Sequence, residues 1–378
     1  MEIIDQKKIK SQSIMQVCEL LFNLPPLSRN EISKKSGLSL MTVGKMVELL
    51  KQLDIVYEMK GESSTVGRKG GKVYVNDKNK YIVIMDLSKI NFSFSMMTIG
   101  GNTIERVLDF TYLIQNEYTG NLRESLCRFK DCMKVKYNEI IGIGVLTPGP
   151  YYAFEDIVIN KRIPQLTNVP IKSIIADFYP DKVIWIDEDV KFAARYAMRY
   201  VKDFQHKTIF YSYIGDGVGG AIVQDMDIYR SAYSYSANWG QMRLLDAANV
   251  EDTVTIDNLV RLYPDDFENG RLKDSERFYQ RHKEDVKLQN FITNTKSVIL
   301  QCLNTIMWLL DPDAIIFDSM YADWFPGFFE ELSLAFKEKA FAQRGEYIPE
   351  LIRFFSTENA QYRGVRDFVR NHFLKMLQ

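Results

Sequence analysis

The first 80 residues alternate apolar helix patterns with clear breaks. Pro25 and Pro26 end the first pattern, because proline lacks a backbone N–H and clashes with the preceding helical turn. Ser28 then predicts an N-cap for a second helix over Arg29 to Lys35, with Glu31 as its capping-box partner. The first helix is predicted from apolar residues that recur at helical spacing: Ile14, Val17, Cys18, Leu20, Leu21 and Leu24.

A third helix is predicted from its N-cap, Ser39, through Leu53, after a turn at Gly37. Its buried stripe is expected to be Val43, Met46, Val47 and Leu50. Three short helices with a glycine between the last two are typical of a helix-turn-helix, whose third helix enters a major groove. A helical protein-interaction domain is the alternative. The residues expected to face DNA are Ser39, Met41, Thr42, Gly44 and Lys45.

A pair of strands with a basic tip follows these helices. Segments 55–59 and 73–75 predict the strands, and the polar turn 61–71 between them carries Arg68 and Lys69. Such a pair is typical of a wing, whose tip contacts phosphates or a minor groove. We therefore predict a winged helix-turn-helix DNA-binding domain (α+β) over residues 1–78, with Arg68 and Lys69 among its DNA-binding residues.

The rest of the chain predicts one order of elements twice: hairpin strands, then alternating helices and strands. This repeat favours two α/β lobes that face each other across a cleft, 79–188 with 362–378 and 189–361. The first copy is read from strands 81–87, 92–96, 139–145 and 183–186, with helices 121–135 and 190–200. The second is read from a glycine hairpin near 209–223, helices 291–310 and 325–340, strands 314–317 and 351–355, and a terminal helix from Tyr362.

Charge and composition suggest a class of partner for the first 80 residues and a cellular compartment for the protein. The chain has 378 residues and a net charge of −1, but residues 1–80 carry 14 Lys+Arg against 9 Asp+Glu, which suggests a polyanion partner for a basic head. No apolar run is long enough for a membrane span, and the N-terminus lacks the apolar core of a signal peptide, so we expect a cytoplasmic protein. Four scattered cysteines argue against a structural metal.

A glycine-rich hairpin stands at the start of the second copy. Apolar residues 209–214 lead into Gly215, Asp216 and Gly217, and a second apolar run leaves after Gly220. Glycines at such a turn allow positive φ and expose backbone N–H groups that cradle a phosphate or a sugar hydroxyl. A simple tight turn is the alternative reading.

Six motifs in order, together with the head, resemble the ROK family of repressors, open reading frames and sugar kinases. The resemblance covers essentially the whole chain and implies the bilobal, ribonuclease-H-like fold of hexokinase and actin. It also implies that the head belongs to the repressor branch, whose wing carries a Gly-Arg pair, here Gly67-Arg68. The motifs are Asp86–Ser88, Gly142–Pro150, Asp187–Asp189, Gly215–Gly220, Trp239–Met242 and Leu310–Asp313.

Departures from the family pattern argue against catalysis and against bound zinc. The Asp that the kinases use as a base is kept as Asp189, but Glu188 replaces their sugar-contacting Asn. Gln241 replaces the His that the family lends to zinc, and the cysteine-rich zinc segment is missing, so we predict no metal. The phosphate loop reads Asp86–Ile90 and the adenosine-side glycines read Asp318–Met320, so we expect neither ATP binding nor kinase activity.

The remaining polar residues of the family motifs are expected to bind a sugar-like effector between the lobes. Arg162 takes the place of a sugar-binding Asn and would suit an anionic ligand, although a surface arginine in a misaligned loop is the alternative. The other polar groups suit a polyol and Trp239 could stack on it, but buried structural pairing is the competing account. The predicted effector residues are Arg162, Glu188, Asp189, Gly215, Gly217, Asn238 and Gln241.

The sequence therefore favours a repressor of carbohydrate metabolism that binds operator DNA as a homodimer and responds to a sugar or sugar derivative. Dimerisation matches the twofold symmetry of common operators. One alternative is an ATP-dependent sugar kinase with a regulatory DNA-binding head. Another is a DNA-binding protein whose body is only a dimerisation scaffold.

Overall fold

The computed structural model describes residues 6–59, 71–89, 92–110, 118–133, 135–161, 163–244, 248–268, 271–355 and 359–376, with backbone only for 6–11 and 103–110. By internal contacts the chain forms two compact units. The first unit consists of Met1–Pro148, Ala153–Asp187 and Val365–Gln378, and so includes the head. The second consists of Gly149–Tyr152 and Glu188–Gly364. None of the described helices is both long and apolar enough to cross a membrane.

The head contains three helices and a small sheet with strand order β1-β3-β2. Its elements are α1 (Gln6–Asn23), β1 (Leu27–Ser28), α2 (Arg29–Ser36), α3 (Leu40–Gln52), β2 (Val56–Met59) and β3 (Lys72–Val75). The capping box of Ser28 and Glu31 is confirmed, and Gly37 ends α2 with φ 72°, a left-handed conformation that glycine adopts without strain. Ser39 caps α3 by accepting the Thr42 N–H. The pairing of Leu27 with Val73 was not predicted.

The rest of the first unit is built on a five-stranded sheet of order β6-β5-β4-β7-β10. The central pair β4 and β7 is parallel, whereas β4 with β5 and β5 with β6 are antiparallel. The elements are β4 (Tyr81–Asp86), β5 (Phe92–Thr98), β6 (Thr103–Phe110), α4 (Tyr118–Cys132), β7 (Ile140–Thr147), β9 (Ile157–Val158), α5 (Ile171–Phe178) and β10 (Ile184–Glu188). The intervening strand β8 (Tyr151–Tyr152) lies in a segment of the second unit.

The second unit repeats this topology in a sheet of order β13-β12-β11-β16-β17. Its first elements are α6 (Asp189–Ala197), β11 (Thr208–Ile214), β12 (Val218–Gln224), β13 (Asp227–Ile228), α7 (Val250–Val254), α8 (Asp257–Leu262), β14 (Phe267–Glu268), β15 (Arg271–Leu272) and α9 (Ser275–His282). The chain then forms α10 (Val286–Leu310), β16 (Ala314–Ser319), α11 (Met320–Trp324), α12 (Phe328–Arg344) and β17 (Glu350–Phe354). The last helix is α13 (Ala360–Met376), whose residues from Val365 onward belong to the first unit.

One predicted helix of the second unit starts later than expected. The sequence pattern predicted a helix over 325–340, whereas α12 runs from Phe328 to Arg344, and the short α11 before it was not predicted. Gly327 precedes α12 with φ 80°, a left-handed conformation that a helix does not include. The apolar pattern began too early because Phe325 and Phe328 are both buried in the same core.

Candidate functional sites in the head and the second unit

The first turn of α3 presents an uneven, partly apolar surface to solvent. Leu40 is 51% exposed and Met41 is 71% exposed, and Ser39 and Lys45 are also exposed. The Thr42 hydroxyl lies 2.9 Å from the Ser39 hydroxyl, so the cap organises this turn. On the opposite face the predicted stripe is buried: Val43, Met46, Val47 and Leu50.

An ion-pair network fixes α3 against its neighbours. Arg29, the first residue of α2, donates to Glu48 on α3 at 2.5 Å and to Glu58 on β2 at 2.6 Å. Lys51 lies 3.3 Å from Glu48 and 3.2 Å from Glu58. Gly44 faces the Arg29 guanidinium, which a Cβ would approach to 3.6 Å. Sequence reasoning missed this network because only the Glu48–Lys51 spacing is local.

The Arg29 network makes the head sensitive to acid. The Arg29 hydrogen bond holds the pKa of Glu58 below its ordinary value of 4.5, so the pair stabilises the fold above that pH and weakens as pH falls through the lowered pKa. We expect Arg29→Ala to reduce the head's stability by about 1 kcal/mol at neutral pH, and to flatten its loss of stability in acid. Amide exchange of α3 from pH 7 to about pH 4 measures both effects.

The exposed pair of Arg123 and Asp177 provides the control. Arg123→Ala should leave α3 exchange at its native pH dependence. An Arg29→Ala protein with the native acid profile would show that the network does not stabilise α3.

Three predicted site residues lie outside the described residues. Arg68 and Lys69 fall in the segment 60–70, which also contains the Gly67-Arg68 pair, and Arg162 falls at a single undescribed position. Their assignment to DNA or to an effector stays a prediction.

Glu188 is engaged in a buried ion pair at the start of α6. Its Oε1 accepts a hydrogen bond from Lys191 Nζ at 2.5 Å and another from the Tyr151 backbone N–H at 3.1 Å. Glu188 and Lys191 are 6% and 1% exposed, and Glu188 packs closely against Gly149. This buried pairing is the competing account raised for Glu188 in the sequence, and it leaves that carboxylate less available to a polyol. The next residue, Asp189, is the first residue of α6.

The buried Tyr211 and the partly buried Tyr213 place phenols beside carboxylates of this unit. Tyr211 donates to Asp318, and Tyr213 donates to Asp216 at 2.9 Å. Burial raises the pKa of both phenols. Asp318 and Asp189 raise the pKa of both further, and Asp216 adds to the effect at Tyr213.

The expectation of positive φ at the glycine hairpin was wrong. Gly215, Gly219 and Gly220 are outside the left-handed region. Gly215 and Gly220 are required by close packing instead. A Cβ on Gly220 would lie 2.5 Å from the Tyr211 carbonyl oxygen, and one on Gly215 would overlap the Tyr213 hydroxyl. The strand-turn-strand prediction itself is confirmed.

Two backbone N–H groups of this hairpin have protein partners. The Gly215 N–H donates to the Gly217 carbonyl at 2.9 Å, and the Val218 N–H points at Glu251 Oε1 at 3.4 Å. The other oxygen of Glu251 accepts from the Gln241 side chain at 2.7 Å. Gln241 therefore supports the carboxylate that faces the hairpin, and a phosphate there would have to displace Glu251.

Asn238 and Trp239 differ in their availability to a ligand. The Trp239 indole is 3% exposed and donates to the Gly219 carbonyl at 2.8 Å, so it belongs to the core and does not offer a stacking face. The side-chain amide of the partly buried Asn238 has no hydrogen-bond partner among the described residues. Among the predicted effector side chains that the structure describes, Asn238 thus has the polar group most available to a ligand.

A structural zinc does not fit these residues. Gln241, at the position of the family's His, is bonded to Glu251. Within the described ranges no three His, Cys, Asp or Glu side chains are grouped as metal ligands. An amide hydrogen-bonded to a carboxylate offers zinc none of the nitrogen or sulfur ligands that structural sites use.

The first unit contains a separate open cavity of about 460 Å³. It includes none of the predicted effector residues. Its lining is Tyr118, Thr119, Gly120, Gln165, Thr167, Asn168 and Val169.

Comparison with known proteins identifies the family. The profile of the ROK family matches residues 103–369. The chain belongs to the ROK family. Its ROK relatives include the xylose repressor of Bacillus subtilis (strain 168), 23% identical with all of both chains covered. The xylose repressor of Staphylococcus xylosus is 22% identical, with 87% of each chain covered.

Solved structures confirm the hexokinase-type fold of this ROK protein. A ROK family transcriptional regulator, described as a homolog of the E. coli MLC protein, has a TM-score of 0.71 and 14% identity. That match covers 97% of this chain and 98% of the other. The ROK hexokinase of Thermus thermophilus has a TM-score of 0.56 and 18% identity, covering 75% of this chain and 96% of its own.

Proposed function

We propose that the chain is a transcription repressor whose head binds operator DNA and whose body responds to a sugar or sugar derivative. The observation that carries this proposal is the match to xylose repressors over the full length, head included. In this proposal the head is a winged helix-turn-helix. Its third helix, α3, enters a major groove with Met41, Thr42 and Lys45 towards the bases and phosphates.

The effector proposal rests on polar groups of the second unit. Asn238 offers an amide with free donors and acceptors, which suits a sugar hydroxyl. Glu188, Asp189, Gln241 and the hairpin glycines keep supporting roles in this proposal, and Arg162 stays in it as a prediction from the sequence. D-xylose is the first probe because the relatives are named xylose repressors.

A binding experiment tests the effector proposal. We expect D-xylose, or another monosaccharide of a screening panel, to raise the Tm of the full chain and to weaken its binding to operator DNA. Asn238→Ala should weaken that sugar's apparent affinity about tenfold, since it removes hydrogen bonds to hydroxyl groups. Asn290→Ala, at an exposed position of α10, is the control. Equal sugar affinity in both variants would remove Asn238 from the site.

A sugar kinase with a regulatory head is the second candidate. It is favoured by Asp189 at the position of the family's base and by a fold shared with a ROK hexokinase. The partners of Glu188 and of the hairpin N–H groups oppose it. ATP turnover measured with the sugar panel decides between them. Turnover that Asp189→Asn abolishes would establish the kinase, and turnover at background in both proteins supports the repressor.

We further propose that the protein acts as a cytoplasmic homodimer. Two copies of α3 at a fixed spacing would match the two half-sites of a twofold operator. Sedimentation of the full chain, alone and with operator DNA, measures the stoichiometry.

A further inference from the structure

The last helix, α13, packs closely against α6, the helix that begins at the predicted effector residues. Gly364 lies directly against the Phe192 carbonyl, with no room for a Cβ. The neighbouring Arg363 donates to the Tyr196 hydroxyl at 3.1 Å and stacks 5.5 Å from the Tyr196 ring centre. Because α6 starts directly after Glu188, a shift of its first turn would be transmitted to the start of α13.

Further along, α13 belongs to the first unit and packs on β7. Val365 and Val369 are fully buried. Val365 occupies the space where Gly144 would carry a Cβ, and Val369 does the same at Gly142 to within 2.9 Å. This close fit leaves α13 no space to slide over β7, so that a displacement at the start of the helix is transmitted along it instead of being absorbed at the strand.

Near its end α13 contacts the head through a buried arginine. Asp367 accepts from Arg366 at 2.8 Å and lies 2.9 Å from Arg370, and all three are buried. The Arg370 guanidinium stands 4.2 Å from the ring centre of Phe22 in α1. Since Asp367 orients Arg370 from within the same helix, the contact with Phe22 moves with α13.

We propose that α13 couples the residues at the start of α6 to the head, with Arg370 as the positioning residue that holds α1 through Phe22. The proposal rests on the repressor function proposed above. A sugar that shifts the start of α6 changes the packing of α13. Arg370 then transmits that change to α1, the helix that packs beneath α3. The two sites are then coupled by one continuous helix.

Hydrogen–deuterium exchange of the full chain tests this coupling with neither operator nor effector present. We expect Arg363→Ala to accelerate exchange of the α1 amides, residues 17–22, by about threefold or more. In a Phe22→Leu background the same substitution should have no further effect on α1. If Arg363→Ala does not fold, Arg363→Lys is measured instead, because lysine keeps the charge and loses the planar contact.

The matched control is Arg344→Ala on α12, which removes an arginine stacked 5.3 Å from the Trp308 ring centre. It should leave α1 at the native exchange rate. The proposal is overturned if Arg363→Ala accelerates only the first turn of α13, or if its effect and that of Phe22→Leu are additive. A failure of the repressor function gives a different result, namely no operator binding by the native chain.

Discussion

Lys191→Met is expected to lower the free energy of unfolding by about 3–5 kcal/mol. The substitution leaves the Glu188 carboxylate buried without its ammonium partner, and an uncompensated charge in the interior is far more costly than a lost surface ion pair. The pair joins the end of β10 to the first turn of α6, so the second unit should unfold at a lower urea concentration. Denaturation followed by tryptophan fluorescence measures the shift in midpoint.

The double variant separates burial of charge from loss of packing. Glu188→Gln combined with Lys191→Met removes both charges, and about half or more of the lost stability should return. Lys337→Met, at an exposed position of α12, should change stability by no more than about 0.5 kcal/mol. If Lys191→Met behaves like Lys337→Met, then the ion pair does not stabilise this unit.

Lys45→Glu is expected to weaken operator binding about 100-fold at physiological salt. The side chain lies on the exposed face of α3, and the reversed charge would be repelled by the phosphates on either side of a major groove. The salt dependence of binding should also become shallower, because fewer counterions are released. Fluorescence anisotropy with an operator selected from random DNA provides the measurement.

Lys337→Glu makes the same charge change far along the chain from the head. It should leave operator affinity within about twofold, because Lys337 is not among the residues proposed to contact DNA. Two variants with equal affinity would mean that the exposed face of α3 does not contact DNA. Amide exchange of α3 checks that the Lys45→Glu head is folded.

The parts of the fold that the sequence predicted correctly depend on local signals. The cap residues Ser28 and Ser39, the turn at Gly37 and the buried stripe of α3 depend on neighbours within one or two turns, so pattern and capping rules suffice. Two α/β lobes were expected from the repeated element order and from the family motifs, but the five strands of each sheet were not counted in advance. The start of α12 was placed three residues too early because an apolar pattern does not record backbone conformation.

The candidate sites were predicted less well, since they depend on contacts between distant segments. The partners of Arg29 and the place of Trp239 in the core follow only from the tertiary structure. The hairpin glycines were recognised, but their cause was misjudged, because close backbone approach and positive φ leave the same residue in a sequence. At Glu188 the sequence showed that the family's Asn is replaced, but it did not reveal that Lys191 is the partner of this carboxylate.

The ion-pair network divides α3 into an anchored end and an exposed first turn. This network joins Arg29, Glu48, Glu58 and Lys51. The charged residues near its end set the angle of the helix, while its first turn offers Leu40, Met41 and Lys45 to the outside. A protein engineer could therefore randomise that first turn to obtain new target sequences and leave the anchoring charges untouched. If all of α3 were grafted from a relative without the matching partners of Arg29, the helix would tilt, and its first turn would no longer be presented in the same orientation.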